Sequence, residues 1–115
     1  KLQGVRHVNL SENMLTEEGI GQLLQHAGPE SFVSLNLASN RLNEKGGSEV
    51  VKLLAPCRNL QELSLSGNGI GDAVVEELCG VLGLHCPALE GLGLSHCGIG
   101  KTPKGGAALG GYVSA

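Results

Sequence analysis

Ser95 to Thr102 reads SHCGIGKT, one position away from a phosphate-binding loop, with Ser95 where that loop has its first glycine. Such a loop cradles phosphates with backbone N–H groups, and its lysine and hydroxyl reach the outer phosphates and Mg²⁺. It needs a strand before it and a helix after it. An apolar run precedes this stretch, but Pro103 follows Thr102 and no second strand offers an acidic Mg²⁺ ligand. Nucleotide binding through Gly100, Lys101 and Thr102 therefore ranks last among the functional readings.

Cys79, His85, Cys86, His96 and Cys97 are residue types that hold zinc, yet they form neither a Cys-x-x-Cys nor a His-x-x-x-His pair. Structural zinc sites usually supply such closely spaced pairs, so no metal and no cofactor are expected. Cys57 and Cys86 each stand three residues before a strand-like leucine, Leu60 and Leu89. On adjacent strands, about 4.8 Å apart, a disulfide between them is conceivable. The preferred reading is a buried column of small apolar residues, because free cysteine is among the most buried types. Asn9-Leu10-Ser11 spells a glycosylation sequon inside a strand rather than a loop, and is expected to be unused. Ser, His and Asp occur without a nucleophile elbow or triad context, so no catalytic residue is assigned.

One phrase, written four times, positions all of these residues. It reads VRHVNLSENML from Val5, FVSLNLASNRL from Phe32, LQELSLSGNGI from Leu60 and LEGLGLSHCGI from Leu89, a period of 27 to 29 residues. Self-similarity at this length marks a solenoid whose units stack on their neighbours. Within each phrase the residues alternate as in a short half-buried strand: Leu63 and Leu65 point in, and Glu62, Ser64 and Ser66 point out. Asn13, Asn40 and Asn68 follow the strands where the chain turns. A buried Asn there can donate and accept at once, satisfying backbone groups left unpaired by the turn. Cys97 takes that place in the fourth unit as a weaker donor.

The second half of each unit carries apolar residues at helical spacing: Leu23, Leu24 and Ala27; Val50, Val51 and Leu54; Leu78, Cys79 and Leu82. Thr16, Asn43 and Asp72 are the expected helix caps. Gly19 and Gly46 stand six residues after their Asn, where a small residue lets helix and strand approach; Val74 departs from that column.

Over roughly residues 2–100 the chain resembles the leucine-rich repeat, and the unit length resembles its ribonuclease-inhibitor-like class. The resemblance implies an α/β fold: a right-handed leucine-rich-repeat solenoid, a horseshoe fragment with parallel strands on the concave face and helices on the convex face. The expected units are about 2–28, 29–56, 57–85 and a partial 86–100. Residues 101–115, rich in glycine, are expected to be a degenerate fourth-repeat helix, a linker or a tail.

The resemblance further implies a non-catalytic protein-interaction module within a longer array. The alternating Asn and Cys at the turns look most like nucleotide-sensing innate-immune receptors and tonsoku-like repair scaffolds, which implies an intracellular setting, cytoplasmic or nuclear. The alternative is a regulatory or structural segment that packs on a neighbouring domain of its own protein. The chain starts at Lys1, with Leu2 already in the repeat frame and neither end showing a polar cap, and is expected to be a piece of a longer array.

Composition agrees with these readings. Hydrophobic residues make up 41% and aromatic residues 2%, which suits stacked leucine rows. The net charge of −3 argues against direct nucleic-acid binding, which needs clustered Lys and Arg. No apolar run approaches the ~18 residues of a membrane span, and no small-molecule substrate is expected.

The outward strand positions supply the candidate contact residues. The central row is Asn9, Asn36, Ser64 and Gly93, flanked by Arg6, His7, Glu12, Gln61, Glu62, Glu90 and His96. Interaction hot spots favour Trp, Tyr and Arg, and this surface has one Arg and neither ring. A protein partner must therefore bring the large anchors. Glu12, Glu62 and Glu90 favour a basic segment on it.

Overall fold

The computed structural model describes residues 5–26 and 28–98. Four three-residue strands, β1 (His7–Asn9), β2 (Ser34–Asn36), β3 (Glu62–Ser64) and β4 (Gly91–Gly93), alternate with helices α1 (Glu17–His26), α2 (Glu44–Leu54) and α3 (Gly71–His85). A single 3₁₀ turn, Pro29–Ser31, precedes β2. The strands form one parallel sheet in the order β1-β2-β3-β4. The register sets Val8 beside Leu35, Leu35 beside Leu63 and Leu63 beside Leu92. A sheet in strict chain order with one helix per crossover keeps all its helices on one side, since such crossovers share one hand. Consistently, α1 packs on α2 and α2 on α3.

Three residues make a weak strand, so the repeated bonds just beyond them matter. Leu10, Leu37 and Leu65 donate their N–H groups to Asn36, Ser64 and Gly93 carbonyls at 2.8–2.9 Å. Glu12, Ser39 and Gly67 donate to Ala38, Ser66 and Ser95. The pairing thus runs on into the turn. There the residue before each Asn or Cys, namely Glu12, Ser39, Gly67 and His96, has a positive φ of 55–76°. Only one of the four is the glycine that this conformation favours.

The core lies between sheet and helices. Phe32, Leu35, Leu37, Leu60, Leu63 and Leu65 from the strand side meet Val50, Leu53, Leu54, Val75, Leu78 and Leu82 from the helices, all buried. Leu23 packs against this cluster from α1. The side chains of Leu24 and Ala27 lie outside the described residues.

Three expectations are corrected. Asn43 caps α2 as its type suggests, accepting the Gly46 N–H at 3.0 Å, and the Thr16 carbonyl takes the Ile20 N–H at 3.2 Å as α1 begins. Asp72, however, sits inside the first turn of α3 and is buried; the N-cap residue is Ile70, with no side-chain cap bond. Next, the close approach at Gly19 and Gly46 is not to a strand. A Cβ there would stand 2.8 Å from the Leu15 and Leu42 side chains of the preceding turn. Val74 fits its column because the neighbouring unit yields space: a Cβ on Gly47 would lie 2.8 Å from Val74 Cγ1 and 3.0 Å from Ile70. Finally, Asn13 is exposed rather than buried, and its Nδ2 donates to Ser11 O.

Candidate functional site

Two surfaces deserve a functional reading: the line of turn-marking side chains and the open face of the sheet. In the first, Asn40 and Asn68 act as two-way connectors. Asn40 Oδ1 accepts the N–H groups of Asn13 (2.8 Å) and Leu15 (3.0 Å) from the preceding unit. Its Nδ2 donates to Leu10 O and Leu37 O, both at 2.9 Å. Asn68 repeats the pattern, accepting from Asn40 (3.1 Å) and Leu42 (3.2 Å) and donating to Leu37 O and Leu65 O. Cys97 is buried in the same place, its thiol donating to Leu65 O at 3.0 Å. With no oxygen on that side chain, the Ile70 N–H turns to Asn68 O at 2.8 Å. These contacts build structure and expose little.

The cysteines offer no chemistry of their own. Cys57, Cys79, Cys86 and Cys97 are all buried thiols. Burial pushes the Cys57 thiol up to about 12, helped by neighbouring Cys86 and by the Glu30 carboxylate. Burial likewise raises Cys79, Cys86 and Cys97; the Asn68 and Gly67 N–H groups at Cys97 act in the opposite sense. Such thiols are poor nucleophiles, because the thiolate is the reactive form. Cys57 and Cys86 give their S–H groups to Leu53 O and Leu54 O. Among the described residues no group of His, Cys, Asp or Glu could hold a metal. The phosphate-loop-like stretch Ser95–Thr102 extends past Gly98 and so lies partly outside the described residues, and residues 101–115 lie wholly outside them.

The open face is where exposed polar side chains converge. A groove of about 420 Å³ crosses all four strands, with His7, Asn9, Asn36, Glu62, Ser64, Gly91 and Gly93 in its lining. Two rows build it. The first residues of the strands run His7, Ser34, Glu62, Gly91, and the third run Asn9, Asn36, Ser64, Gly93. His7 Nδ1 lies 3.0 Å from Ser34 Oγ, which ties the first two strands together on this face. Asn36 Oδ1 accepts the Ala38 N–H at 3.0 Å, and Asn9 Oδ1 accepts from the Ser11 N–H and hydroxyl. Both amides are thereby oriented with Nδ2 left to donate outward. No hydrogen bond or ion pair engages the Glu62 carboxylate among the described residues.

The remaining candidates lie off this groove. Arg6 and Gln61 line a second hollow at the rim where the chain enters the strands, together with Glu30, Ser31, Val33, Asn59 and Ala88. Glu90 sits on the same rim, exposed, donating its backbone N–H to Gln61 O. Glu12 and His96 occupy the opposite rim, in the left-handed turns. The three acidic residues therefore do not form one edge. Glu30, in the 3₁₀ turn, and Asn59 and Ala88, in turns, belong to the connections between helix and strand, where no periodicity flags them.

Residues 57–79 match the family described as "Leucine Rich repeat". The chain is 34% identical over 99 residues to human NACHT, LRR and PYD domains-containing protein 13, covering 84% of this chain and 9% of that protein. It is also 34% identical, over 102 residues, to mouse Tonsoku-like protein, covering 85% and 7%. The chain thus spans about a tenth or less of these relatives. Among solved structures, "Leiomodin-1 Actin-Binding Site 2 (ABS2)" superposes with a TM-score of 0.70 at 19% identity, covering 96% of this chain and 62% of that one. That likeness speaks for the fold alone.

Proposed function

The chain is a leucine-rich-repeat domain, and from that premise we propose that it serves as a non-catalytic protein-interaction module, with the open sheet face as the concave contact surface. The four units are read as about 2–28, 29–56, 57–85 and a partial 86–100 of a right-handed solenoid in the ribonuclease-inhibitor-like class. The groove over β1–β4 carries this reading: the exposed side chains of His7, Asn9 and Glu62 stand over a lining that also takes in Val8, Leu35 and Leu63. Its one imidazole–hydroxyl pair, His7 with Ser34, has no carboxylate orienting the imidazole among the described residues, as nucleophilic catalysis would need.

The parent is read as an intracellular scaffold or sensor, cytoplasmic or nuclear, because the receptor and Tonsoku-like relatives share the repeats. Among the described residues no helix is long and apolar enough to cross a membrane. The partner is a protein with basic groups, favoured by Glu62 and Glu90. Reversing both charges, Glu62→Lys with Glu90→Lys, tests this in a binding assay with a cognate partner. Unchanged affinity removes the acidic side of the surface from the site.

A further inference from the structure

We infer that the groove is polar in a directional sense: it takes a partner segment that crosses the strands with a hydrogen-bond acceptor over β1–β2 and a lysine or arginine over β3–β4. The inference rests on the interaction reading above and assigns the segment's orientation. Three observations carry it.

The first is the fixed orientation of the amides. Because Asn9 Oδ1 and Asn36 Oδ1 are each held by an N–H two residues on, what these side chains offer outward is a pair of N–H donors. Those donors suit carbonyl or carboxylate oxygens and repel ammonium or guanidinium groups.

The second is Glu62. Among the side chains lining the groove it is the sole carboxylate, and no cation meets it among the described residues. A basic side chain laid there gains a charge-assisted hydrogen bond.

The third is the bare floor beside it. A Cβ on Gly91 would stand 3.6 Å from Glu62 Cγ, and one on Gly93 would stand 3.0 Å from Ser64 Oγ and 3.1 Å from Ser66 Oγ. The Ser64 and Ser66 hydroxyls thus already crowd the space over Gly93, whereas Gly91 leaves room beside Glu62. The long apolar stem of a Lys or Arg can lie over Gly91 while the charged head reaches the carboxylate.

Strand spacing of about 4.8 Å nearly matches the helical pitch of about 5.4 Å. On a helical segment, the acceptor and the basic residue thus fall one to two turns apart on one face.

A random peptide library displayed on phage and selected against the immobilised 115-residue chain tests this. Selected peptides are expected to carry Lys or Arg one to two helical turns from Asp, Glu, Asn or Gln. Their binding is expected to weaken by about tenfold or more in Glu62→Lys, and to weaken in Asn36→Asp, which replaces a donor with an acceptor. Ser64→Arg, which fills the middle of the groove beside both determinants, reports whether the groove is occupied at all, whatever the orientation, and thermal melts establish that each variant is folded. Peptides blocked by Ser64→Arg but indifferent to Glu62→Lys and Asn36→Asp overturn the orientation and leave the interaction reading standing. Peptides indifferent to all three variants, or no enrichment at all, overturn both.

Discussion

Asn68 Oδ1 accepts the backbone N–H of Asn40 at 3.1 Å, across a sequence separation of 28 residues. One side chain thereby closes the turn of the unit before it, and its own amide group reaches Leu37 O and Leu65 O. Asn68→Ala strands several buried backbone groups, each costing about 1–3 kcal/mol. A loss of about 3 kcal/mol or more is expected in urea denaturation. Asn13→Ala, at an exposed site with one side-chain bond to Ser11 O, is expected to cost less than about 1 kcal/mol by the same measure.

Cys97 fills the same slot without an oxygen. Replacing it by Asn supplies the acceptor that Asn13 and Leu15, and likewise Asn40 and Leu42, already enjoy. Cys97→Asn is expected to stabilise the chain by about 1 kcal/mol, seen as a raised urea midpoint with an unchanged slope. A lowered midpoint refutes the equivalence of the four positions.

Gly47 pairs with Val74 as a space with its filling. An added Cβ would lie 2.8 Å from Val74 Cγ1. Gly47→Ala gains about 1 kcal/mol in helix propensity but overpacks the α2–α3 contact at about 1–3 kcal/mol, so net destabilisation is expected. In the double variant Gly47→Ala/Val74→Ala the two costs should fail to add, a coupling that a double-mutant cycle measures.

Alkaline pH probes the buried thiols. The folded Cys57 holds its proton up to about 12, against the ordinary value of 9.0. Between those values the unfolded chain releases a proton that the folded chain retains. Stability is therefore full below about pH 9 and falls as pH rises toward 12, at up to about 1.4 kcal/mol per pH unit from this residue. Urea midpoints across pH 8 to 10.5 check the fall, and Cys57→Ala should make it shallower, the raised Cys79, Cys86 and Cys97 keeping the remainder. Iodoacetamide at neutral pH is expected to leave all four thiols of the folded chain unmodified until denaturant is added.

Much of the architecture was legible because a period is a geometric statement. Aligning the four phrases places Leu35 beside Leu63 and Asn36 beside Ser64, and the sheet pairs those residues. Alternation within each phrase likewise assigned Asn9, Asn36, Ser64 and Gly93 to one outward row. What depends on neighbouring units escaped the pattern. Gly47 lies outside the Gly19–Gly46 column, and only the stacked helices reveal that it faces Val74. Asp72 has the type of a cap, but α3 starts earlier, at Gly71. Glu12, Ser39 and His96 share a left-handed backbone with Gly67, yet three different side chains conceal the common conformation. The separation of Glu12, Glu62 and Glu90 follows from their different places within the phrase, which put Glu62 in the groove and Glu12 and Glu90 on opposite rims once the sheet forms.

The turn bonds also have a sense of travel. Each turn's N–H groups are held by the side chain of the unit that follows, never in these contacts by the one before. Peeling a unit away from the high-numbered end therefore robs its neighbour of acceptors, whereas peeling from the low-numbered end leaves the next turn's own donors served. Unravelling should run more readily in one direction along the array than in the other, like a zip with its slider at a single end.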